Sequence, residues 1–149
     1  MIYKLVVPVE EGRYIVFSSL FFMGPCMYSF ILKHYGMSFL LFLCSSISVN
    51  YWIYPIYGWR RNLDLLYAKF VFSVFFCNGV YYGRNPLYIS IGYPCAGALG
   101  YCYYMSNALC NSTSDRAVLT IQNKKPWFAY HMMFHALMTL ELFLILVSI

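Results

Sequence analysis

The chain has 149 residues, of which 62% are hydrophobic and only 10% are charged, and its mean hydropathy is +0.62. A soluble globular domain carries about 25% charged residues, and a chain of this length cannot keep so much apolar surface away from water in one core. Lipid is itself an apolar solvent, so the same surface is stable there. The composition therefore excludes a water-soluble globular protein and predicts an all-α integral membrane protein.

The formal net charge of +5 does not indicate nucleic-acid binding. The ten Lys and Arg residues stand singly or in pairs at the edges of apolar runs, whereas a phosphate-binding surface needs a basic stripe. This placement suits topology signals and contact with anionic lipid heads. The six cysteines include no C-x-x-C pair, and we interpret them as small apolar packing residues.

Apolar stretches of about 20 residues can cross the hydrocarbon core, and five of them predict a single helical domain over residues 1–149. The first span is 14–32 and the second is 37–57. Pro25 and Pro94 each lie inside a span, where proline kinks or ends a helix. Pro55 lies near the end of the second span, and we expect it to mark where that helix terminates.

The third predicted span, 64–82, carries Asp64 and Lys69 near its start. Both lie within about two turns of the boundary, so that the long lysine stem can reach water. The fourth span is 87–110, and after a polar connection the fifth span is 127–149. The sequence contains no internal repeat and no second domain.

The basic residues between the spans predict the orientation, because cytosolic loops carry an excess of Lys and Arg. Seven such residues lie on one side of the predicted membrane: Lys4, Arg13, Arg60, Arg61, Arg116, Lys124 and Lys125. The other side holds Lys33 and Arg84. The N-terminus is therefore predicted to be cytosolic and the C-terminus to lie on the opposite side.

Small residues on the fourth span predict a packing face. Gly92, Ala96 and Gly100 recur every four residues, and two overlapping small-xxx-small steps let another helix approach closely. We expect this face to contact another membrane helix.

Two polar residues lie at similar predicted depth within the spans, namely Asn78 in the third and Glu141 in the fifth. An ionised Glu is unstable alone in lipid. We predict that Glu141 is protonated or is hydrogen-bonded, either to Asn78 in a structural polar clasp or to a Tyr hydroxyl such as Tyr28 or Tyr93.

One constellation near the predicted cytosolic face has the residue types of a metal site. His131 and His135 are four residues apart and share a helical face, as two imidazoles need in order to bind one metal ion. Asp64 starts the third span and would be a third ligand or would orient an imidazole. Ser46 and Asn50 lie at matching depth in the second span. Without a metal, we expect Asp64 to pair with a preceding arginine or to contact a histidine.

With these residues the chain resembles the CREST superfamily of membrane hydrolases, which includes the alkaline ceramidases and the adiponectin-type receptors. That family combines Ser-x-x-x-His, an Asp on the next helix and a late His-x-x-x-His around a zinc ion. The resemblance implies that Ser46 with Asn50, then Asp64, then His131 with His135 correspond to this set. It also implies zinc and a lipid amide or ester substrate. Asn50 stands where the family has a zinc ligand, and five predicted spans stand where the family has seven.

The favoured hypothesis is nevertheless a structural or anchoring subunit of a larger, hetero-oligomeric membrane assembly, with no cofactor and no catalytic residue. Its predicted partners are lipids and other membrane proteins. In style the chain resembles small polytopic membrane proteins of large DNA viruses and accessory subunits of organellar complexes. The membrane would be a virion inner membrane, the endoplasmic reticulum or an organellar inner membrane. A further alternative is a small transporter or channel in which Asn78, Glu141 and Lys69 line a wet cavity.

Overall fold

The computed structural model describes residue 7 and residues 9–82, 85–86, 88–111 and 121–149. The regular elements of this part are helices, as the composition predicted. In chain order they are α1 (Val9–Ser19), α2 (Met23–Ile31), α3 (Tyr35–Trp52), α4 (Trp59–Tyr82), α5 (Tyr93–Asn111) and α6 (Ile121–Ser148).

Three helical segments are long and apolar enough to cross a membrane. They are Glu10–Ile31, Trp59–Tyr82 and Pro126–Ser148. The first of them combines α1 and α2, which follow one another with a single 3-10 turn between them. A chain with three such segments has the character of a membrane protein, in agreement with the prediction from composition.

Irregular helical turns precede the two prolines that were predicted to disturb a span. The 3-10 turn Leu20–Phe22 lies just before Pro25, and the π-helical turn Tyr88–Gly92 lies just before Pro94. Proline has no N–H to donate to the carbonyl four residues earlier, and its ring crowds that carbonyl. In both places that carbonyl belongs to the irregular turn, so the departure from α-helical hydrogen bonding occurs where the proline requires it.

The helix boundaries differ from the predicted spans mainly at the polar ends. α3 ends at Trp52, ahead of Pro55, as predicted. α4 begins at Trp59 and α6 at Ile121, before the predicted starts at 64 and 127. Hydropathy marks only the apolar part of a helix, whereas the backbone hydrogen bonds continue through the polar residues that flank it.

The helices form a bundle in which α6 packs against α1, α2, α4 and α5, while α3 packs against α1, α2 and α4. The fully buried side chains of the main core include Leu41, Phe75, Met138, Leu142 and Ile145. A smaller cluster lies where α3 ends, and includes Ile15, Tyr51, Trp52 and Trp127. We call this part of the molecule, next to the connection 53–58, the α3–α4 end of the bundle.

The small residues of the fourth span do not share one packing partner. A Cβ built on Gly92 would lie 2.4 Å from Cδ2 of Tyr88, so this glycine makes room for a ring of its own segment. A Cβ built on Gly100 would meet no atom of the described residues within 4 Å. Ala96 is half-buried between them. Within the described part of the chain, Gly92 and Gly100 therefore have separate surroundings.

Five of the six cysteines have described side chains, and all five are free. Cys26, Cys44, Cys95 and Cys102 are buried in the bundle, and Cys77 is exposed on α4. The buried four agree with the interpretation of cysteine as an apolar packing residue. The side chain of Cys110 lies outside the described residues.

Candidate ligand cavity

A cavity of about 170 Å³ lies at the α3–α4 end of the bundle, where α3, α4, α5 and α6 meet. Its wall is largely aromatic and aliphatic, and includes Phe22, Phe72 and Leu99. Polar side chains from all four helices interrupt this apolar wall: Ser48, Asp64, Lys69, Ser106, His131 and His135. An apolar pocket with a few convergent polar groups is the usual form of a small-molecule site.

The structure brings together the three residues that were predicted as metal ligands. Asp64 comes from the start of α4, and His131 and His135 come from one face of α6. Asp64 is 9% exposed and His135 is 3% exposed. The sequence therefore identified three residues of one cavity wall from their depth and spacing alone.

The register of α3 differs from the sequence prediction by two residues. Ser46 and Asn50 are exposed and do not line the cavity. The Oδ1 of Asn50 instead accepts a 2.6 Å hydrogen bond from Arg60. Ser48 and Trp52, again four residues apart, take the cavity-facing positions. Trp52 is thus the α3 residue that lies four positions after the cavity-lining serine.

Asp64 interacts with the side chains of Ser48, Trp52 and Arg61. Arg61, three residues earlier on α4, is close enough for its positive charge to act on Asp64, and the pairing of Asp64 with a preceding arginine stays a prediction. Arg60 points to the end of α3 instead, where it donates to Asn50. A carboxylate in an apolar wall is costly unless it is compensated, and the nearby charge of Arg61 offsets only part of the cost of burial.

Ser18 of α1 fixes the imidazole of His135. The Ser18 Oγ lies 3.1 Å from His135 Nδ1, and the same hydroxyl donates its proton to the carbonyl of Ile15 at 2.9 Å. A hydroxyl has one proton to donate. We therefore assign the bond to His135 as Nδ1–H donating to Ser18 Oγ, which leaves the lone pair of the neutral ring on Nε2.

Ser106 of α5 and two indole rings hold His131. The Ser106 Oγ lies 3.3 Å from His131 Nδ1. The imidazole stacks on Trp127, with centroids 5.1 Å apart and 19° between the planes, and it meets Trp52 edge-on at 4.8 Å. Its Nε2 is buried and has no hydrogen-bond partner among the described residues. A buried imidazole nitrogen without a partner is unusual in a folded protein.

The side chains of this wall do not fit the zinc site that the resemblance implies. The family has a histidine four residues after its serine, and Trp52 stands four residues after Ser48. An indole offers only an N–H donor and no lone pair for a metal. No group of three or more His, Cys, Asp or Glu residues with a metal-binding arrangement occurs in the described part of the chain. The zinc site stays a prediction.

Glu141 is hydrogen-bonded to a Tyr hydroxyl, as predicted, but the tyrosine is Tyr88. It is fully buried, and its Oε1 accepts a 3.0 Å hydrogen bond from the phenol of Tyr88. The Nδ2 of Asn78 donates instead to a carbonyl of its own helix, at 2.8 Å. The clasp is therefore formed by Tyr88 and Glu141, whereas Asn78, Tyr28 and Tyr93 had been expected as partners.

The three residues suggested for a transport path do not lie on one cavity. Lys69 lines the cavity at the α3–α4 end, whereas Asn78 and Glu141 are absent from its wall. A path needs polar groups in series along a shared space. Among the residues that the structure describes, the cavity therefore contains one of the three suggested residues and lies at one end of the bundle.

Comparisons of the chain with protein-family models, with curated proteins and with solved structures find no match. Fold and cavity together define the class: a helical bundle with apolar helices long enough to cross a membrane, and with a partly charged pocket at one end.

Proposed function

We propose that the chain crosses a membrane five times, with the α3–α4 end in the cytosol and the C-terminus on the opposite side. The spans would be α1 with α2, then α3, α4, α5 with its preceding turn, and α6. The count of seven basic residues against two supports this orientation. Of the residues counted, Lys4, Arg84 and Arg116 lie outside the described ones.

Single-cysteine labelling tests this topology. In a cysteine-free background, Gly36→Cys and Asn62→Cys each place a thiol at an exposed position, at opposite ends of the bundle. An impermeant maleimide applied to sealed membrane vesicles with their cytosolic face outward should label Asn62→Cys and should label Gly36→Cys only after permeabilisation. Labelling of both from the same side would contradict five spans.

Within that membrane, we propose that the chain is a CREST-like protein that binds a lipid in its cavity without metal-dependent hydrolysis. One observation carries the proposal: Ser48, Asp64, His131 and His135 line a single cavity, while Trp52 stands in the position of the missing ligand. The serine, the aspartate and the His-x-x-x-His pair thus keep the family's order along the chain. A cavity between membrane helices is a natural place for a lipid or part of one.

Ring distances support the view that Trp52 replaces a metal ligand. The centroids of Trp52 and His131 are 4.8 Å apart, and those of His131 and His135 are 4.9 Å apart. Imidazoles that bind one tetrahedral zinc at about 2.0–2.1 Å have ring centroids about 5 Å apart. A ring at position 52 is therefore near enough to His131 to share one metal ion with both histidines. The indole of Trp52, however, provides no ligand atom.

The variant Trp52→His tests the proposal directly. We expect purified wild-type protein to contain no stoichiometric zinc, and Trp52→His to take up about one zinc per chain. The double variant Trp52→His/His131→Ala should lose that zinc, and the matched control Trp52→Phe should gain none. Stoichiometric zinc in the wild type that is lost on His131→Ala would overturn the proposal in favour of an active lipid amide or ester hydrolase.

A second candidate function is that of a structural or anchoring subunit in a larger membrane assembly. The observation that favours it is the surface of α4: only 17% of its most apolar stretch is buried, and Ser73 and Cys77 are exposed on it. Polar side chains on a helix in lipid commonly contact another helix. The partners would be other proteins of a virion inner membrane, the endoplasmic reticulum or an organelle.

Isolation of the native protein in mild detergent tests this second candidate. Disulfide or maleimide cross-linking from Cys77 should capture a defined membrane protein, and Cys77→Ser should abolish that product. A chain that purifies as a monomer, and that gives no specific product from Cys77, would contradict the assembly role.

A further inference from the structure

The cavity is flanked by α4 and α5, which both pack on α6. Lys69 and Gly100, one from each flanking helix, are exposed as well as lining the cavity. A Cβ added at Gly100 would meet no neighbouring side chain or helix of the described residues within 4 Å. The space between α4 and α5 is thus an opening to the side of the bundle.

Lys69 reaches across this opening. Its Nζ lies 5.4 Å from the ring centroid of Tyr103 on α5, within the range of a cation–π contact. Tyr103 also lines the cavity. The positive charge of Lys69 therefore lies at the side entrance rather than on a polar outer surface.

The charges around the cavity leave Lys69 without a carboxylate. The basic residues of the wall are Arg61 and Lys69, and Asp64 is the acidic one. The Asp64 carboxylate interacts with Arg61, and Glu141, the other buried carboxylate described, is bonded to Tyr88. Among the residues that the structure describes, Lys69 therefore has a ring contact with Tyr103 but no carboxylate partner.

The position of Lys69 along α4 makes this charge significant. It lies five residues after Asp64, where the predicted third span begins, which corresponds to about 7.5 Å along the helix axis. In the proposed topology the long lysine stem can extend from this depth to the head-group level of the bilayer. The anions at hand in a bilayer are the phosphate groups of phospholipids.

We infer that the cavity binds the phosphate head group of a single-chain phospholipid that enters between α4 and α5. Lys69 provides the counter-charge at the entrance, and the apolar wall around Phe72 and Leu99 receives the adjoining carbons of the chain. The tail continues outward between the two helices into the surrounding lipid. The inference rests on the proposed function, because it names the lipid that the cavity takes.

Binding of two lysophospholipids with the same acyl chain tests the inference. In detergent-solubilised full-length protein, lysophosphatidate should bind about tenfold more tightly than lysophosphatidylcholine, a difference of about 1.4 kcal/mol. The reason is that the phosphate monoester of lysophosphatidate carries no choline group to compensate its negative charge. Lys69→Gln should abolish the preference. The matched control Lys33→Gln, an exposed lysine at the other end of the bundle, should keep it.

Two further measurements separate failure of the inference from failure of the proposed function. Gly100→Phe fills the entrance and should weaken both lysolipids, as a cavity site requires. Equal binding of both lysolipids by the wild type, with both lost in Gly100→Phe, overturns the phosphate inference alone. No binding of either lysolipid overturns the lipid-binding proposal as well. Inorganic phosphate at millimolar concentration should not compete with lysophosphatidate. Competition would show that the site binds free phosphate instead of a lipid.

Discussion

The phenol of Tyr88 donates a 3.0 Å hydrogen bond to Oε1 of Glu141 and so connects the π-helical turn before α5 to α6. Both side chains are fully buried. The ring of Tyr88 fits closely over Gly79 of α4 and Gly92 of its own segment, where a Cβ would lie within 2.5 Å of it. One tyrosine therefore ties three helices together around a buried carboxyl group.

Removal of this hydroxyl should destabilise the bundle. Tyr88→Phe leaves the ring in place but removes the hydroxyl that donates to Glu141, and polar contacts between membrane helices contribute about 0.6–1.7 kcal/mol. We expect a lower free energy of unfolding in a denaturant titration of the detergent-solubilised protein. Tyr104→Phe on the exposed face of α5 is the control and should leave it unchanged. Equal effects of the two substitutions would show that Tyr88 contributes only as a ring.

Two glycines of α5 and its preceding turn should respond in opposite ways to alanine. Gly92→Ala would place a Cβ 2.4 Å from the Tyr88 ring and should destabilise the protein by about 1–3 kcal/mol through overpacking. Gly97 has open space around it, so Gly97→Ala should stabilise the helix by up to about 1 kcal/mol. Thermal unfolding of both variants provides the comparison. A stable Gly92→Ala protein would mean that the Tyr88 ring can leave its position.

The tautomer of His135 should depend on Ser18. In the wild type, Ser18 Oγ accepts from Nδ1–H, so Ser18→Ala removes the acceptor and should raise the population of the Nε2–H form. Two-bond ¹H–¹⁵N correlation spectra of histidine-labelled protein distinguish the two forms. Ser46→Ala, whose hydroxyl bonds to its own helix, is the control. An unchanged spectrum in Ser18→Ala would refute the assigned proton position.

Cysteine reactivity should follow burial. In a Cys110→Ser background, a maleimide applied to folded protein in detergent should label Cys77 rapidly and leave Cys44, Cys95 and Cys102 unlabelled until unfolding. The reason is access, because a buried thiol in an apolar wall neither ionises readily nor meets the reagent. Mass spectrometry of the labelled peptides measures this order. Rapid labelling of Cys44, which lines the cavity, would show that the pocket admits molecules of that size from water.

The sequence predicted the helical class and three cavity residues because both follow from local patterns. Composition alone requires an apolar solvent, and the spacing of His131 and His135 fixes a shared helical face. The depth of Asp64 follows from its place at the start of a span. These inferences need no knowledge of which helix lies beside which.

The residues of α3 were harder to assign because serine occurs on several sides of that helix. Ser45, Ser46 and Ser48 are all candidates by depth, and only packing decides among them. A signal was present: the buried side chains Ser38, Leu41, Ser48 and Trp52 recur at spacings of three, four or seven residues. That stripe would have excluded Ser46 and Asn50, but Ser45 is buried as well as Ser48, so the choice between those two serines depends on packing.

The partner of Glu141 could not be obtained from the sequence. Tyr88 reaches it only because the chain forms a π-helical turn at Tyr88–Gly92 and because Gly79, on another helix, leaves space for the ring. Both conditions arise from tertiary packing, which a count of residues from the span boundary does not include. Asn78 lies at a suitable depth but bonds to its own helix.

The serines that hold the two histidines come from different helices, Ser18 from α1 and Ser106 from α5, while both imidazoles belong to α6. A tilt of either outer helix would stretch one of these bonds and leave the other intact. The resonance of His135 would therefore report a movement of α1, and the resonance of His131 would report a movement of α5. When a ligand occupies the side entrance next to α5, we expect the resonance of the His131 ring to change before that of His135.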